Sequence, residues 1–279
     1  FNTKDAMQFH QAYYHPANAV AVLVGDIDLE KAKRLAEVYF ERYPAGGTAP
    51  ESVTQEPPQS GPRKSVRFLK GARTPGVLIG FHGARMGTRN FDALDALTMV
   101  LSHGRGARMT QEVVNQGRAV EAWAHNLDNR YAGMLILGGS PNEPDEMKKG
   151  NLNEEEERHA HLRACENLEK ILLAQMERLK TEPVSVRELE RIKKLNHRDF
   201  MERLKTNESL AMVLATTEVQ TGWPYLLSYL DRIDKVTPED IREAVKRTVT
   251  EENRTTVYVI PGGRQETPPQ AYEEVRSLS

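Results

Sequence analysis

The two ends of the chain carry the same pattern: a capped helix, an asparagine, an alternating apolar run and a glycine. Residues near the start match residues 235 positions later, and the first two matches have capping-box spacing. The matched pairs are Asn2 and Thr237, Asp5 and Asp240, Asn18 and Asn253, Val22 and Val257, and Val24 and Val259. This shared order predicts one α+β unit present twice. The alternative is coincidence, because a capped helix followed by a strand is common in α+β proteins.

If the repeat is real, residues 1–43 are the helix, strand and helix that end one copy, whose body would lie upstream. A stretch rich in proline, glycine, serine and threonine at 44–63 has the composition of a solvated linker. The sequence therefore predicts that the chain has three parts: the end of a preceding copy at 1–43, a linker at 44–63 and a complete domain at 64–279.

Hydrophobic periodicity predicts an α+β fold in which a mixed, mostly antiparallel sheet packs against several helices. The N-terminal part contributes helices at 2–14 and 28–43 with a buried strand beginning at Ala19. The predicted strands of the main domain are 64–70, 76–83, 119–127, 131–139 and a closing strand from Thr255. The predicted helices are 91–101, 109–115, 154–180, 186–206, 207–219, 225–233 and one opened by Thr237.

Composition excludes several classes of function. The 279 residues include 38 basic and 40 acidic side chains, so no global field favours nucleic acid or an anionic membrane. The longest aliphatic runs, 19–24 and 134–137, are too short to span a bilayer. The single cysteine, Cys165, excludes an internal disulfide and a multi-cysteine zinc cluster, and leaves the compartment open between cytoplasm and periplasm.

Six stretches, in order, resemble the insulinase-like (pitrilysin) family of zinc peptidases. They are "YYHPANAVAVLVGDIDLEKAKRLAEVYFERYP", "TPGVLIGFHGAR", "LSHGRGARMTQEVV", "TEPVSVRELERIKKLNHRDF", "LLSYLDRIDKVTPEDIREAVKRTV" and "TTVYVIPGG". The resemblance covers about residues 2–262 and implies duplicated α+β domains enclosing a chamber. In the family, a His-x-x-Glu-His helix and a further glutamate hold zinc in the first copy, and the next copy is metal-free. This chain resembles that metal-free domain, preceded by the last elements of its neighbour.

The resemblance implies a non-catalytic domain of a zinc metallopeptidase that hydrolyses peptides or proteins. Its expected partners are the zinc-bearing domain, a second half or subunit that closes the chamber, and polypeptide substrate, with no nucleic acid and no membrane. The chain alone is expected to be inactive, with no catalytic, cofactor-binding or metal residues of its own and with zinc in the upstream domain. The alternative is a structural or assembly subunit of the same family without peptidase activity.

Residue chemistry supports the expectation that this chain builds no zinc site. The sequence contains neither His-x-x-Glu-His nor His-Glu-x-x-His, the patterns that place two imidazoles on one helical face. The stretch matching the zinc helix is "FDALDALTMVLSHG", in which the histidine comes only at the end. Its interior carries Leu94, Leu97, Thr98 and Val100.

The remaining candidate residues favour structural roles. His159 and His161 lie two apart on a predicted helix and point away from each other, while His82 and His103 lie near element ends. Cys165 falls on an apolar stripe and is interpreted as a core residue rather than a nucleophile. The segment "SHGRGAR", with Arg108 opening the next helix, lacks the Gly-Lys-Ser/Thr ending of a phosphate loop.

One departure from the family concerns substrate handling. Family members whose metal-free domain touches substrate carry an arginine and a tyrosine seven residues apart after this turn. Ungapped alignment puts those positions at Val113 and Val120, which cannot donate a hydrogen bond to a substrate carbonyl. The sequence therefore predicts that a partner half or subunit supplies the arginine and the tyrosine.

Overall fold

The main element of the fold is a five-stranded sheet with the strand order β1-β5-β2-β4-β3. The computed structural model describes residues 1–50, 56–150 and 152–262. β1 pairs with β5 in parallel, and the other three pairings are antiparallel. The strands are β1 (Arg63–Leu69), β2 (Gly76–His82), β3 (Ala119–Asn126), β4 (Met134–Pro141) and β5 (Arg254–Pro261). The predicted mixed, mostly antiparallel sheet is confirmed.

The helices follow the predicted order closely, with boundaries that differ by a few residues. They are α1 (Thr3–Tyr13), α2 (Leu29–Phe40), α3 (Arg89–Ser102), α4 (Glu154–Thr181), α5 (Val186–Arg203), α6 (Asn207–Gln220), α7 (Pro224–Asp234) and α8 (Pro238–Thr248). Short 3₁₀ turns lie at Pro16–Asn18 and Met147–Lys149. No helix in the described ranges is both long enough and apolar enough to cross a membrane.

The longest helix, α4, shows why these segments fold as they do. Asn153 and Glu156 form a capping box at its start, and four glutamates in its first turn suit the positive end of the helix dipole. Its apolar stripe, which includes Leu168, Leu172 and Met176, is buried. α4 packs against β2, β4 and β5, and α3 packs against β3, so these two helices and one face of the sheet enclose the core.

One prediction of secondary structure is wrong, and one predicted helix is of an unexpected type. Residues 19–24 do not form a strand: they have no regular secondary structure, and in the described ranges no strand pairs with them. A strand requires hydrogen bonds to a neighbouring strand, which an apolar run cannot supply by itself. The helix predicted at 109–115 is instead a π-helix at Thr110–Val114, in which the Asn115 N–H donates to the Thr110 carbonyl at 2.8 Å.

The structure adds detail to the predicted repeat. α1 and α8 are both 11 residues long, and their boundaries differ by the same 235 positions as the sequence match. Both begin with a complete capping box. The Asn18 side chain donates to the Tyr13 carbonyl at 2.9 Å, and the Asn253 side chain donates to the Thr248 carbonyl at 2.8 Å. The same capping and the same asparagine bond therefore occur at both ends of the chain.

The chain divides by contacts into two compact units, which cut across the domain limits predicted from sequence. The first comprises Phe1–Pro58 and Lys193–Lys235, and the second comprises Gln59–Ile192 and Val236–Ser279. The second contains the sheet, α3, α4 and α8. Part of the predicted linker, residues 51–55, lies outside the described residues, and the assignment of 1–43 to a preceding copy stays a prediction.

Candidate functional site

Helix α3 contains the segment that the sequence analysis predicts to correspond to a zinc helix, and it is built into the core. Thr88 caps its start by accepting a hydrogen bond from the Phe91 N–H at 3.3 Å. Leu94, Leu97 and Val100 are fully buried, and the Thr98 hydroxyl donates to the Asp95 carbonyl within the same helix. The positions from which a zinc helix would present imidazoles therefore hold aliphatic packing residues.

The histidines singled out in the sequence are dispersed. Across the described residues, no three side chains of histidine, cysteine, aspartate or glutamate are grouped so as to hold a metal ion. His159 is exposed, whereas His161 is half-buried, and burial lowers its pKa. His82 ends β2, where its backbone is paired by Asn253, and His103 follows α3. The structure brings none of the four into a common site.

Cys165 and Arg108 both make contacts that are typical of residues that stabilise the fold. Cys165 is fully buried, its Sγ lies 3.9 Å from the Gly76 carbonyl, and burial raises its pKa to about 12, so the group is a neutral thiol at pH 7. Arg108 donates from Nε and from a terminal nitrogen to the two carboxylate oxygens of Glu188, at 2.7 and 3.0 Å. The turn after α3 is thereby fixed to the start of α5.

Val113 and Val120, which the ungapped alignment puts at the positions of the family's substrate-contacting arginine and tyrosine, do not share a surface. Val113 lies in the π-helix and is fully buried, while Val120 is 62% exposed on the edge strand β3. An arginine at the first position would point into the core. The neighbouring positions, Val114 and Glu121, are half-buried and exposed respectively.

The strongest candidate for a functional surface is the open face of the sheet, opposite α3 and α4. Strand register puts one row of residues across all five strands on this face, namely Ser65, Val257, Leu78, Gly138 and Trp123. The Trp123 indole occupies the space that a Cβ at Gly138 would need, so glycine at this position allows the ring to pack against the sheet backbone. In the next rows, the Met134 side chain covers Gly80 in the same way. Leu78 and Met134 remain 39% and 37% exposed.

The residues of the open face favour a surface that binds its partner through complementary shape and apolar contact. Its centre is apolar, and its β1 margin carries Arg63 and Arg67. At the other margin, β3 is an edge strand whose Glu121 accepts a hydrogen bond from the Ser140 hydroxyl at 3.3 Å. An edge strand can pair with an extended polypeptide, and on β3 one amide, the Ala124 N–H, already donates to the Ser102 hydroxyl oxygen. This surface offers no activated nucleophile.

Behind the sheet lies a buried polar cluster that sequence reasoning missed. Glu169 of α4 accepts hydrogen bonds from Lys64 at 2.9 Å, from Thr256 at 2.8 Å and from Tyr258 at 2.5 Å. Burial raises the pKa of Glu169, but these three bonds outweigh burial and lower it. The Tyr258 pKa is raised by burial and by the carboxylate. The cluster holds α4 against β1 and β5, and the signal for it was a glutamate one turn after Cys165 on an apolar stripe.

Comparison with known proteins supports the family resemblance found in the sequence. The profile of the family described as the peptidase M16 inactive domain matches residues 1–196. The zinc protease PqqE of Helicobacter pylori is 27% identical over 263 residues, which cover 92% of this chain and 55% of that protein. The chain therefore spans about half the length of this curated relative.

Two solved structures superpose on this fold over most of the chain. A protease from Helicobacter pylori superposes with a TM-score of 0.80 at 25% identity, covering 94% of this chain and 60% of that one. A peptidase M16 inactive domain from Pseudomonas fluorescens superposes with a TM-score of 0.73 at 16% identity, covering 96% of this chain and 60% of that one. The resemblance seen in the sequence is confirmed, and the chain belongs to the peptidase M16 inactive-domain family.

Proposed function

We propose that this chain is the non-catalytic part of a zinc metalloendopeptidase, and that it forms one wall of a chamber that holds polypeptide substrate. The observation that carries the proposal is family membership together with the aliphatic interior of α3, where a zinc helix would carry its ligands. A domain of this kind contributes surface and packing rather than chemistry. Hydrolysis is assigned to a zinc-bearing domain against which this one packs.

The open face supports the role of chamber wall. Its half-exposed Trp123, Leu78 and Met134 form a broad apolar surface on a rigid sheet, which suits contact with unfolded polypeptide of varied sequence. Edge strand β3 adds backbone groups that can pair with an extended chain. The near-neutral net charge of −2 gives no electrostatic reason to expect nucleic acid or an anionic membrane as partner.

The expected partners are a zinc-bearing domain and a second half or subunit that closes the chamber. Residues 1–43 are proposed to belong to the zinc-bearing domain, because α1 and the following run repeat α8 and β5. The Helicobacter relative, which is called a zinc protease, is nearly twice as long as the aligned region, which leaves room for such a domain in a longer polypeptide.

Metal analysis and peptidase assays test the proposal. The 279-residue chain, dialysed against buffer with trace zinc, should hold far less than one zinc per chain and should leave unfolded casein intact. The complete polypeptide encoded by the gene should hold one zinc and cleave casein, and a chelator should abolish that cleavage. One tightly bound zinc in the 279-residue chain would show that the assignment is wrong.

The same experiment separates the peptidase from a purely structural subunit. If the complete polypeptide contains no His-x-x-Glu-His helix, binds no zinc and cleaves nothing even when mixed with its copurifying partner, the chain is an assembly subunit. In that case the apolar open face would be an interface between proteins.

A further inference from the structure

We propose that the pocket beside the N-terminal half of α4, here called the α4 pocket, binds a free α-amino acid with an apolar side chain. Its walls are residues 117–118, the loop at 141–148 and the face of α4 between Ala160 and Ile171. Its volume is about 700 Å³, which lies within the range of small-molecule sites. The pocket is on the α4 side of the sheet, so this role is separate from that of the open face.

The floor of the α4 pocket is apolar. Ala160, Ala164 and Ile171 are spaced by four and seven residues, so they lie on one face of α4. Ala160 is buried, and so is Pro141, which ends β4 and also lines the pocket. An apolar side chain placed on this floor would displace water from these residues, which favours its binding.

The charged residues that line the α4 pocket are balanced in number. Three are basic and three are acidic: Arg118, Lys148, Arg163, Glu143, Asp145 and Glu146. Arg163 donates to Glu146 at 2.6 Å, and Lys148 donates to Asp145 at 2.7 Å. A polyanion or a polycation would meet as many like charges as opposite ones, so the lining favours a ligand that is neutral overall.

Arg118 and Glu143 are the charged residues of this lining that stay available to a ligand. The Asn142 side chain donates to the Gly117 carbonyl, so the next residue after each of them, Glu143 and Arg118, is held at the same rim of the pocket. Both side chains are exposed, and within the described part of the chain neither has a hydrogen bond or an ion pair. A positive and a negative group therefore lie near each other in a pocket with an apolar floor.

The head group of a free α-amino acid complements this pair of charges. Its carboxylate and its ammonium are attached to one carbon atom, so both can bind at one rim while the side chain reaches the floor. The Arg118 guanidinium can donate two parallel hydrogen bonds to the carboxylate, and the Glu143 carboxylate can accept hydrogen bonds from the ammonium. A peptide fits less well, because its terminal charges are separated by about 3.3 Å for each residue of an extended chain.

Titration of the 279-residue chain with leucine at pH 7 tests this assignment. The backbone amide signals of Gly117, Arg118 and Asn142 in a heteronuclear NMR spectrum should shift and reach half-saturation below about 10 mM leucine. Two analogues are matched probes, because 4-methylpentanoate lacks the ammonium and 3-methylbutylamine lacks the carboxylate. Each analogue should bind at least about 10-fold more weakly than leucine, since one charge of the pair loses its partner.

Point variants separate the α4 pocket from the rest of the surface. Arg118→Ala and Glu143→Gln should each weaken leucine binding at least about 10-fold, and folding should be retained because both residues are exposed. Ala164→Leu keeps both charges but fills part of the floor, so it should also weaken binding. The controls are Arg187→Ala and Glu190→Gln, which are exposed on α5 outside the pocket and should change binding less than about 2-fold.

A titration with glycine measures what the apolar floor contributes, and glycine should bind at least about 10-fold more weakly than leucine. The assignment would be overturned if leucine gave no saturable shift, if glycine or either analogue bound as well as leucine, or if the control variants weakened binding as much as Arg118→Ala. Tighter binding of the dipeptide Leu-Leu than of leucine would also overturn it, because the pocket would then be a site for peptides. These outcomes do not depend on zinc or on peptide hydrolysis, so they leave the proposed function untouched.

Discussion

At the scale of single residues, Arg108 and Glu188 form a salt bridge with two hydrogen bonds. The Arg108 side chain is only 12% exposed, and its two bonds to Glu188 lower the pKa of that carboxyl from 4.5 to about 2, with further help from Ser185. A carboxyl whose pKa is depressed on folding adds stability above its unfolded pKa, and that stability is lost as the pH falls toward the folded value.

Replacement of Glu188 should therefore give a pH-dependent loss of stability. We expect Glu188→Gln to lower the free energy of unfolding by about 2–3 kcal/mol at pH 7, with the difference shrinking between about pH 4.5 and pH 2. Urea unfolding in a Trp223→Phe background, followed by Trp123 fluorescence, reports on the unit that contains the pair. The exposed Glu190→Gln is the control, and a difference that stays constant with pH would contradict the linkage.

At the scale of elements, the two copies of the helix and asparagine motif share a helix length, a capping box and an asparagine bond, and they differ in their surroundings. The Asn253 side chain makes three hydrogen bonds, two of which connect it to β2, whereas the Asn18 side chain makes one, within its own segment. We expect Asn253→Ala to cost about 2–3 kcal/mol in urea unfolding of the 279-residue chain, because partly buried backbone groups lose their partners. Asn18→Ala should cost less than about 0.5 kcal/mol. Equal costs would show that the two asparagines act only within their own segments.

Some features of the helices and strands could be predicted from the sequence, and others could not. Periodicity and capping residues located nearly every helix, since both depend on residues within a few positions of each other. The π-helix at Thr110–Val114 and the burial of Val113 were missed, because the packing of this segment on β3 comes from residues distant in sequence. Glu169 was missed as a bridging residue for the same reason: its partners, Lys64, Thr256 and Tyr258, lie about 90 to 105 positions away.

At the scale of the whole molecule, the two compact units differ in how well they bury their apolar residues. Among the described residues, Ile233 is the one buried hydrophobic residue of the first unit, and the others lie in the second unit. α8 contributes Ile241 and Val245 to the core, while α1 has the same length and cap but contributes nothing. An isolated helix of this length is marginal in water.

Hydrogen exchange on the 279-residue chain should reveal the difference in packing between α1 and α8. The amides of α1 should exchange at least about 100-fold faster than those of α8, since both helices have a capping box but only α8 has buried residues. Peptide-resolved mass spectrometry measures both helices in one experiment. Comparable protection in α1 would mean that the segment is packed in the chain alone.

The sequence by itself determined the order of helices and strands, the repeated caps, the family, and the lack of the family's zinc motif. These properties depend on residue identity and on spacings of a few positions. Only the tertiary structure decided that residues 19–24 are not a strand, that Trp123 packs over Gly138 on an open sheet face, and that Glu169 connects α4 to β1 and β5. The physical reason is that strand pairing and burial are relations between distant segments, so an apolar run becomes a strand only where its neighbours are present.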